Sequence, residues 1–459
     1  MDRLTTFLHV LLFGNTEKIK DVMPEEIPPL RRSLWWGLQI FLDASAATVV
    51  GVLVINEVLK QKGVTEQLDP QVALIAAGVG TLLWLVITGG KMPNFLGTSF
   101  TYITVIAGIT ASMKGVVPGE NPIAYATGAV ILSSITTVVI ALLVGLLSRI
   151  GGSGKSGDFL YRVVPKPLAA AIVVIIGASL AGVATGMLQK DLALGLTTLV
   201  LAMLFRFLPG YWGTIPLILS VGIMYIVSIA QGRVDPQILL SAPLVVSPHF
   251  IAPRFNLLGF VQMMPVSLAT SFETLGHILV LERLLARPLM GRLWLALLAD
   301  AACDTVGGAV GAPGNTTYAE VLGLFSLTRV FSNVAVAFAA FWAILFGFSG
   351  HLNALLTTIP EPVIGGIAVL TFGMIIVPGL QILVTEAVNY GNLKVGLTTA
   401  AMMIFGLGNA KLVIGETEWL SGISFAIVAG LGLWWLLSAA EQLAQSFWGM
   451  PVEGEVLGK

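Results

Sequence analysis

Apolar runs long enough to cross a bilayer follow one another along almost the whole chain, and they constrain its fold more than any single motif. A helical span needs about 20 mostly apolar residues, whereas a membrane β-strand needs only about 10 and alternates with period 2. These runs are long and nearly uncharged, so the expected fold is an all-α polytopic membrane protein. Composition agrees: 56% of the 459 residues are hydrophobic and 11% are charged, against roughly 25% charged in soluble domains. A net charge of -1 offers no basic surface for nucleic acid. The one cysteine, Cys303, excludes a disulfide framework and a cysteine-based metal site.

Gly, Pro and charged residues divide the runs into candidate spans near 34–56, 71–90, 97–113, 123–148, 165–186, 191–208 and 213–230. After a polar, Pro-rich stretch a second series follows near 257–281, 291–311, 315–329, 330–348, 358–380, 392–409 and 419–438. Two sets of seven imply about 14 transmembrane segments arranged as two inverted repeats. With the N-terminus cytoplasmic, seventeen of the 24 lysines and arginines fall on inside segments and seven outside, Arg3, Lys18, Lys20, Lys155, Arg162 and Lys459 being counted inside. That is the bias of the positive-inside rule, and it predicts a cell-membrane protein with both termini cytoplasmic. The opening "MDRLTTFLHVLLFGNTEKIK" lacks a small-residue cleavage site after its short apolar stretch. It reads as an interfacial or cytoplasmic arm rather than a signal peptide.

The third span of each half is short and opens on glycine and hydroxyl residues, "GTSFTYITVIAGI" from Gly97 and "GNTTYAEVLGLF" from Gly314. Either could be an apolar connection. Their matched positions instead predict a short strand leading into a half-helix in spans 3 and 10, whose free N–H groups meet a solute near the bilayer midplane. Irregular backbone is tolerated at that depth only where protein or a water-filled cavity surrounds it.

Ionisable residues deep in a span cost about 2.5 to 3.5 kcal/mol each on insertion scales, so each is a candidate for function. Glu273 and His277 lie i to i+4 in "SFETLGHILVL", on one helix face, where they could share a proton or simply stitch two helices together. Glu320 follows "GNTT"; Thr317 to Glu320 also fits a T-x-x-E capping box, which would give the carboxylate a local role. Asp43 interrupts "LQIFLDASAATVV" and reads as a helix-to-helix hydrogen bond or a coupling-ion site. Asp300 and Asp304 repeat the i to i+4 spacing and are expected to bond the neighbouring half-helix. Phe100, Tyr102 and Tyr318 are by default packing residues. Taken together, two carboxylates, an imidazole and two half-helix starts suit a small, planar, hydrogen-bonding solute. Carboxylates accept from ring N–H groups, backbone N–H groups donate to ring carbonyls, and aromatic side chains cover the ring faces.

At this point a family resemblance emerges. "NTTYAEVLGLFSLTRVFS" resembles the signature of the nucleobase/ascorbate transporters, in the uracil/xanthine permease branch: Glu or Gln, Asn-x-Gly, four variable residues, Thr and often Arg. Glu320, Gly323, Thr328 and Arg329 match it. "SFETLGH" resembles the family's eighth-span Ser-x-Glu-x-x-Gly-His, "GTSFTY" its third-span strand, and "EEIPPLRRSLWWGLQIFLDASAATVV" the approach to its first span. The resemblance implies fourteen spans in two inverted repeats. After a cytoplasmic arm (1–33), core segments 34–150 and 257–348 would alternate with gate segments 151–256 and 349–440, ending in a cytoplasmic tail (441–459). It implies proton-coupled uptake of a nucleobase, sodium being the alternative ion, by movement of the core against the gate, commonly in a homodimer. No cofactor is implied. Glu273 and Glu320 would bind the base, backbone groups at Phe100 and Ala319 would meet its polar edges, and Ala47 and Tyr318 would line the pocket. His277 would join Glu273 in proton coupling; the reading of the residues themselves adds Asp43 as a coupling candidate, with Thr317, Val321, Asp300 and Asp304 in support. The Glu form of the motif with Thr-Arg at its end points to uracil ahead of xanthine. Three departures bear on substrate and coupling ion: Val321 replaces the family's Asn, Gln39-Ile40 replaces its Gln-His, and Asp43 is an added acid.

An anion transporter of the SulP type is thought to share this fold, but two embedded acids at the site argue against an anion. The roughly twenty residues after Ser438 are also too few for the cytoplasmic domain expected of that type. A channel would show rings of polar pore residues instead of one compact site. A membrane enzyme would need a nucleophile or metal constellation; neither H-E-x-x-H nor G-x-S-x-G occurs, which leaves only His277 with a nearby serine as a conceivable dyad.

Overall fold

The computed structural model describes residues 21–116, 119–151, 160–161, 163–385, 388–415 and 417–448. Most of the expected N-terminal arm, the end of the tail, and Arg3, Lys18, Lys20, Lys155, Arg162 and Lys459 of the topology count lie outside the described residues. The chain begins with α1 (Leu30–Gln61) and α2 (Pro70–Ile87), followed by strand β1 (Leu96–Thr98), a 3-10 turn over Phe100–Tyr102, α3 (Ile103–Met113) and α4 (Ile123–Gly151). Then come α5 (Lys166–Ser179), α6 (Ala181–Gln189), α7 (Leu192–Phe205), a 3-10 segment Gly210–Thr214, α8 (Pro216–Ala230) and the short α9 (Pro236–Leu240). The second half holds α10 (Leu257–Leu285), α11 (Leu293–Val310), β2 (Asn315–Thr317), α12 (Ala319–Thr328), α13 (Asn333–Gly347), α14 (Gly350–Thr358) and α15 (Glu361–Thr385). It closes with α16 (Leu393–Leu407), the hairpin β3 (Lys411–Ile414) and β4 (Thr417–Ser421), and α17 (Gly422–Trp448).

Eight stretches among the described residues are long and apolar enough to cross a membrane, and six shorter apolar helices accompany them. Helix α1 runs from Leu30 to Gln61, beyond the expected 34–56 at both ends. The short helices α9 and α14 fall between the expected spans. Exposed apolar side chains such as Leu142, Leu146, Ile226, Met374 and Ile404 cover the flanks. In water such a surface would drive association; in a bilayer it is matched to the acyl chains.

Several helix starts carry local caps. The Asp69 carboxylate accepts from the Gln71 N–H at 2.8 Å with Pro70 in the first turn, and Asp191 and Asn256 cap α7 and α10 at 3.0 and 2.7 Å. By contrast the 3-10 turn that runs on into α3, and the helix α12, begin without a side-chain cap, at Ser99 and Tyr318. Their first N–H groups are therefore left for another partner.

Packing sorts the helices into two sets. Helix α11 packs against α4 and α2, and α13 against α1 and α2; α15 packs against α5, α6 and α7, and α16 against α17. At one end the sets are tied by charge: Lys190, after α6, pairs with Glu361 of α15 and with Glu57 of α1 (3.0 Å), while Lys60 approaches Glu57 and Glu361 at 3.8 and 3.5 Å.

Candidate functional site

The two short strands meet. β1 and β2 pair antiparallel, with Leu96 opposite Thr317, Gly97 opposite Thr316 and Thr98 opposite Asn315. Ser99 N–H donates to the Gly314 carbonyl at 2.9 Å and Tyr318 N–H to that of Phe95 at 3.3 Å, extending the ladder at both ends. All six strand residues are buried. This satisfies their backbone groups without regular helix, the condition for irregular chain inside a membrane. Each strand feeds a helix start without a side-chain cap, so two helix N-terminal turns flank one crossing.

Sequence dictates how closely the crossing can be approached. A Cβ on Gly97 would lie 2.3 Å from Thr48 Oγ1 and 2.5 Å from Tyr318 Cζ, and one on Gly314 would lie 2.3 Å from the Tyr102 ring and 2.5 Å from Asp304 Oδ1. Only glycine fits either place. Thr48 of α1 joins Tyr318 by a 3.2 Å bond between their hydroxyls, and the Tyr318 hydroxyl also donates to the Thr98 carbonyl at 3.0 Å. Tyr318 therefore braces the crossing.

Helix α10 brings Glu273 and His277 alongside. Thr101 Oγ1 lies 3.5 Å from Glu273 Oε2, and His277 Nδ1 lies 2.6 Å from Thr317 Oγ1. The two side chains thus reach opposite arms of the crossing. Among the described residues no hydrogen bond joins them to each other. Glu320 occupies the first turn of α12. The expected capping box does not form there: pairing with Leu96 keeps Thr317 in the strand, its hydroxyl faces His277, and the residue that starts the helix is Tyr318.

Within this otherwise buried region Ala319 is exposed, and Glu273, His277 and Glu320 are only partly buried. These are the groups a solute could touch. Glu320 is close enough to Glu273 and to Asp43 for their charges to repel. Phe100, at the start of the first half-helix, meets Phe372 of α15 edge-on at 5.6 Å between ring centroids. Ala47, one turn from Asp43 on α1, and Val321, next to Glu320, are fully buried. Val321 adds packing where an Asn would add polar contacts.

Asp304 and Asp300 lie behind the crossing on α11. Asp304 accepts from the Tyr102 hydroxyl at 2.7 Å and from the Asn315 N–H at 2.9 Å, so one carboxylate fastens both arms. Asp300 accepts from the Thr274 hydroxyl. Sequence reasoning did not find Thr101, the bond of Tyr102 to Asp304 or Phe372, because each is defined by a distant partner. Arg329, part of the matched motif, stands away from the crossing. It binds Asp21 through Nη2 and Nε at 2.6 and 3.1 Å, while the neighbouring backbone pairs Val22 with Arg329 and Phe331. Among the described residues no group of three or more His, Cys, Asp or Glu could hold a metal ion.

A family model described as the Permease family matches residues 31–415. The chain is 30% identical to the uracil permease of Escherichia coli (strain K12) over 427 residues, 89% of this chain and 92% of that one. It is also 30% identical to the uracil permease of Bacillus caldolyticus over 397 residues, 83% and 88% of the two chains. Among solved structures it is similar to the murine anion transporter Solute Carrier 26 family member A9 in the inward-facing state. That match has a TM-score of 0.62 at 12% identity, over 96% of this chain and 72% of that one. It is similar too to the transmembrane domain of a cyanobacterium bicarbonate transporter, BicA, with a TM-score of 0.51 at 15% identity over 90% and 99% of the chains. At such identities the likeness is one of fold. The chain is a multi-pass membrane transporter rather than an enzyme, and it belongs to the nucleobase/ascorbate transporter family, in its uracil/xanthine permease branch.

Proposed function

We propose that this transporter takes up a nucleobase, uracil ahead of xanthine, in symport with protons. The observation that carries this reading is the placement of Glu273 and Glu320 beside the two uncapped helix starts at the β1–β2 crossing. A planar base there presents ring N–H groups to the carboxylates and carbonyls to the backbone N–H groups near Phe100 and Ala319, while Tyr318 and Ala47 bound the pocket. The relatives named uracil permease support uracil as the base. Glu273, His277 and Asp43 are the groups assigned to proton coupling.

The two packing sets support a division into core and gate, the core carrying the crossing and moving against the gate with the base between them. In this reading the fourteen spans form two inverted repeats, both termini are cytoplasmic, and the protein works as a homodimer in the cell membrane. An anion carrier is the second reading, favoured by the fold of its structural neighbours; the carboxylates at the crossing disfavour it.

The test is a thermal-shift screen of purified protein against uracil, xanthine, hypoxanthine, guanine, urate, ascorbate and bicarbonate, since a ligand specific to the folded state raises its melting temperature. Uracil is expected to stabilise wild type, and Glu273→Gln or Glu320→Gln to abolish the shift. Unchanged affinity in both variants refutes the site. Uptake into vesicles that follows a sodium gradient and ignores a pH gradient refutes proton coupling.

A further inference from the structure

Asp43 is the acid that the family pattern does not call for, and its Oδ2 is buried without a hydrogen-bond partner among the described residues. The 3-10 segment Gly210–Thr214 approaches the same face of α1. Gln39, one turn before Asp43, donates from Nε2 to Thr214 Oγ1 at 3.2 Å. The Gly213 carbonyl of that segment accepts from Arg206 Nη1 at 3.1 Å, which fixes the guanidinium beyond the end of α7. On its other side Arg206 Nη2 is 3.6 Å from the place a Cβ on Gly323 would take. Gly323 lies three residues from Glu320, on the same face of α12. Arg206, itself exposed, therefore lies between the face of α1 that carries Asp43 and the first turns of α12 that carry Glu320, near enough for its charge to act on both but, among the described residues, without an ion pair to either.

We propose that Arg206 is a positioning residue of the substrate site, the shared counter-cation of Asp43 and Glu320. This rests on the reading of Glu320 as a ligand for the base. Two neighbouring carboxylates at membrane depth repel each other and are costly to hold charged. A guanidinium keeps its charge under all ordinary conditions and offers a planar fork of donors, so it can serve both at once. When Glu320 turns its oxygens to the ring N–H groups of a base, Asp43 retains Arg206 and no charge is left uncovered. The added acid and the arginine thus work as a unit, which gives the first-span departure from the family pattern a role. It also links α7, through the Gly210–Thr214 segment, to the helices that hold the crossing.

The experiment is a double-mutant cycle on the purified full chain, read both as the ligand-free melting temperature and as uracil affinity by calorimetry. Arg206→Gln is expected to lower the melting temperature and weaken uracil binding about 10-fold or more, the scale of a stranded charge. Adding Asp43→Asn should return about half or more of both losses, a coupling expected only for interacting sites. Arg206→Lys should lose less than Arg206→Gln. Additive effects of the two substitutions, or wild-type behaviour of Arg206→Gln, overturn the proposal. If Arg206→Gln alone fails to fold, the double variant and Arg206→Lys must fold better than it does; their failing equally also overturns it. The melting cycle needs no ligand, so a wild-type chain that binds no base refutes the substrate reading, while additivity refutes the role of Arg206.

Discussion

Replacing Asp304 with alanine should loosen the β1–β2 crossing and with it the site. In the folded chain this carboxylate accepts from two buried donors, the Tyr102 hydroxyl at 2.7 Å and the Asn315 N–H at 2.9 Å. Tyr102, Asn315 and Asp304 are all at most 1% exposed, so water cannot substitute for the lost acceptor. A stranded buried donor costs about 1 to 3 kcal/mol, which gives about 2 to 6 kcal/mol for the pair. Asp304→Asn keeps one acceptor oxygen and should cost about half as much. Tyr102→Phe should add little in the Asp304→Ala background, because the bond it removes is already gone. The assay is the melting temperature of purified protein together with uracil affinity, which should fall as the two helix starts lose their register. Wild-type melting of Asp304→Ala, or equal damage from Asn and Ala, would refute the clamp.

Three further outcomes are expected. Gly97→Ala should overpack the crossing, since its Cβ meets Thr48 and Tyr318 at 2.3 and 2.5 Å; a loss of about 1 to 3 kcal/mol or more is expected, and melting at the wild-type temperature would contradict it. The Arg329 guanidinium beside Asp21 holds that carboxyl below its ordinary range. A depressed carboxyl stabilises the fold above its unfolded pKa and loses that contribution as pH falls through the folded one. Protection of the residue 21–29 amides against hydrogen exchange, taken relative to their intrinsic rates, should therefore fall in acid, below about pH 4, and Asp21→Asn should remove that dependence; an unchanged acid response in the variant counts against the pair. Glu361 bonded to Lys190 raises the lysine above its ordinary value, burial opposing it. The sign is opposite: this contribution is complete below the unfolded lysine pKa and is lost as pH rises through the folded one. Melting of wild type should thus be more alkali-sensitive than that of Lys190→Gln, and equal sensitivity would show the network to be inert.

Features that depend on neighbours in sequence were legible from it. Long apolar runs marked the helices because a bilayer demands internally satisfied backbone. The matched openings at Gly97 and Gly314 marked the strands and half-helices because glycine and hydroxyl residues interrupt an apolar helix in recognisable ways. The spacing of Glu273 and His277 put them on one side of α10, and both do reach the crossing. The capping box at Thr317 misled for an equally physical reason: its local pattern is sound, but strand pairing with Leu96 and the bond to His277 take the threonine away.

The sequence alone thus determined that the chain lives in a membrane, where its interrupted segments lie and which few carboxylates fall within its apolar runs. Only the tertiary structure decided which of those carboxylates face the crossing and which brace it from behind. Glu273 and Glu320 lie where a solute could touch them, Asp304 fastens two arms that are far apart in the chain, and Arg329 of the recognised motif anchors Asp21 instead of touching the site. Periodicity fixes which side of a helix a residue occupies. What lies opposite that side is set by long-range packing, and the chemistry of a buried charge is decided by its partner.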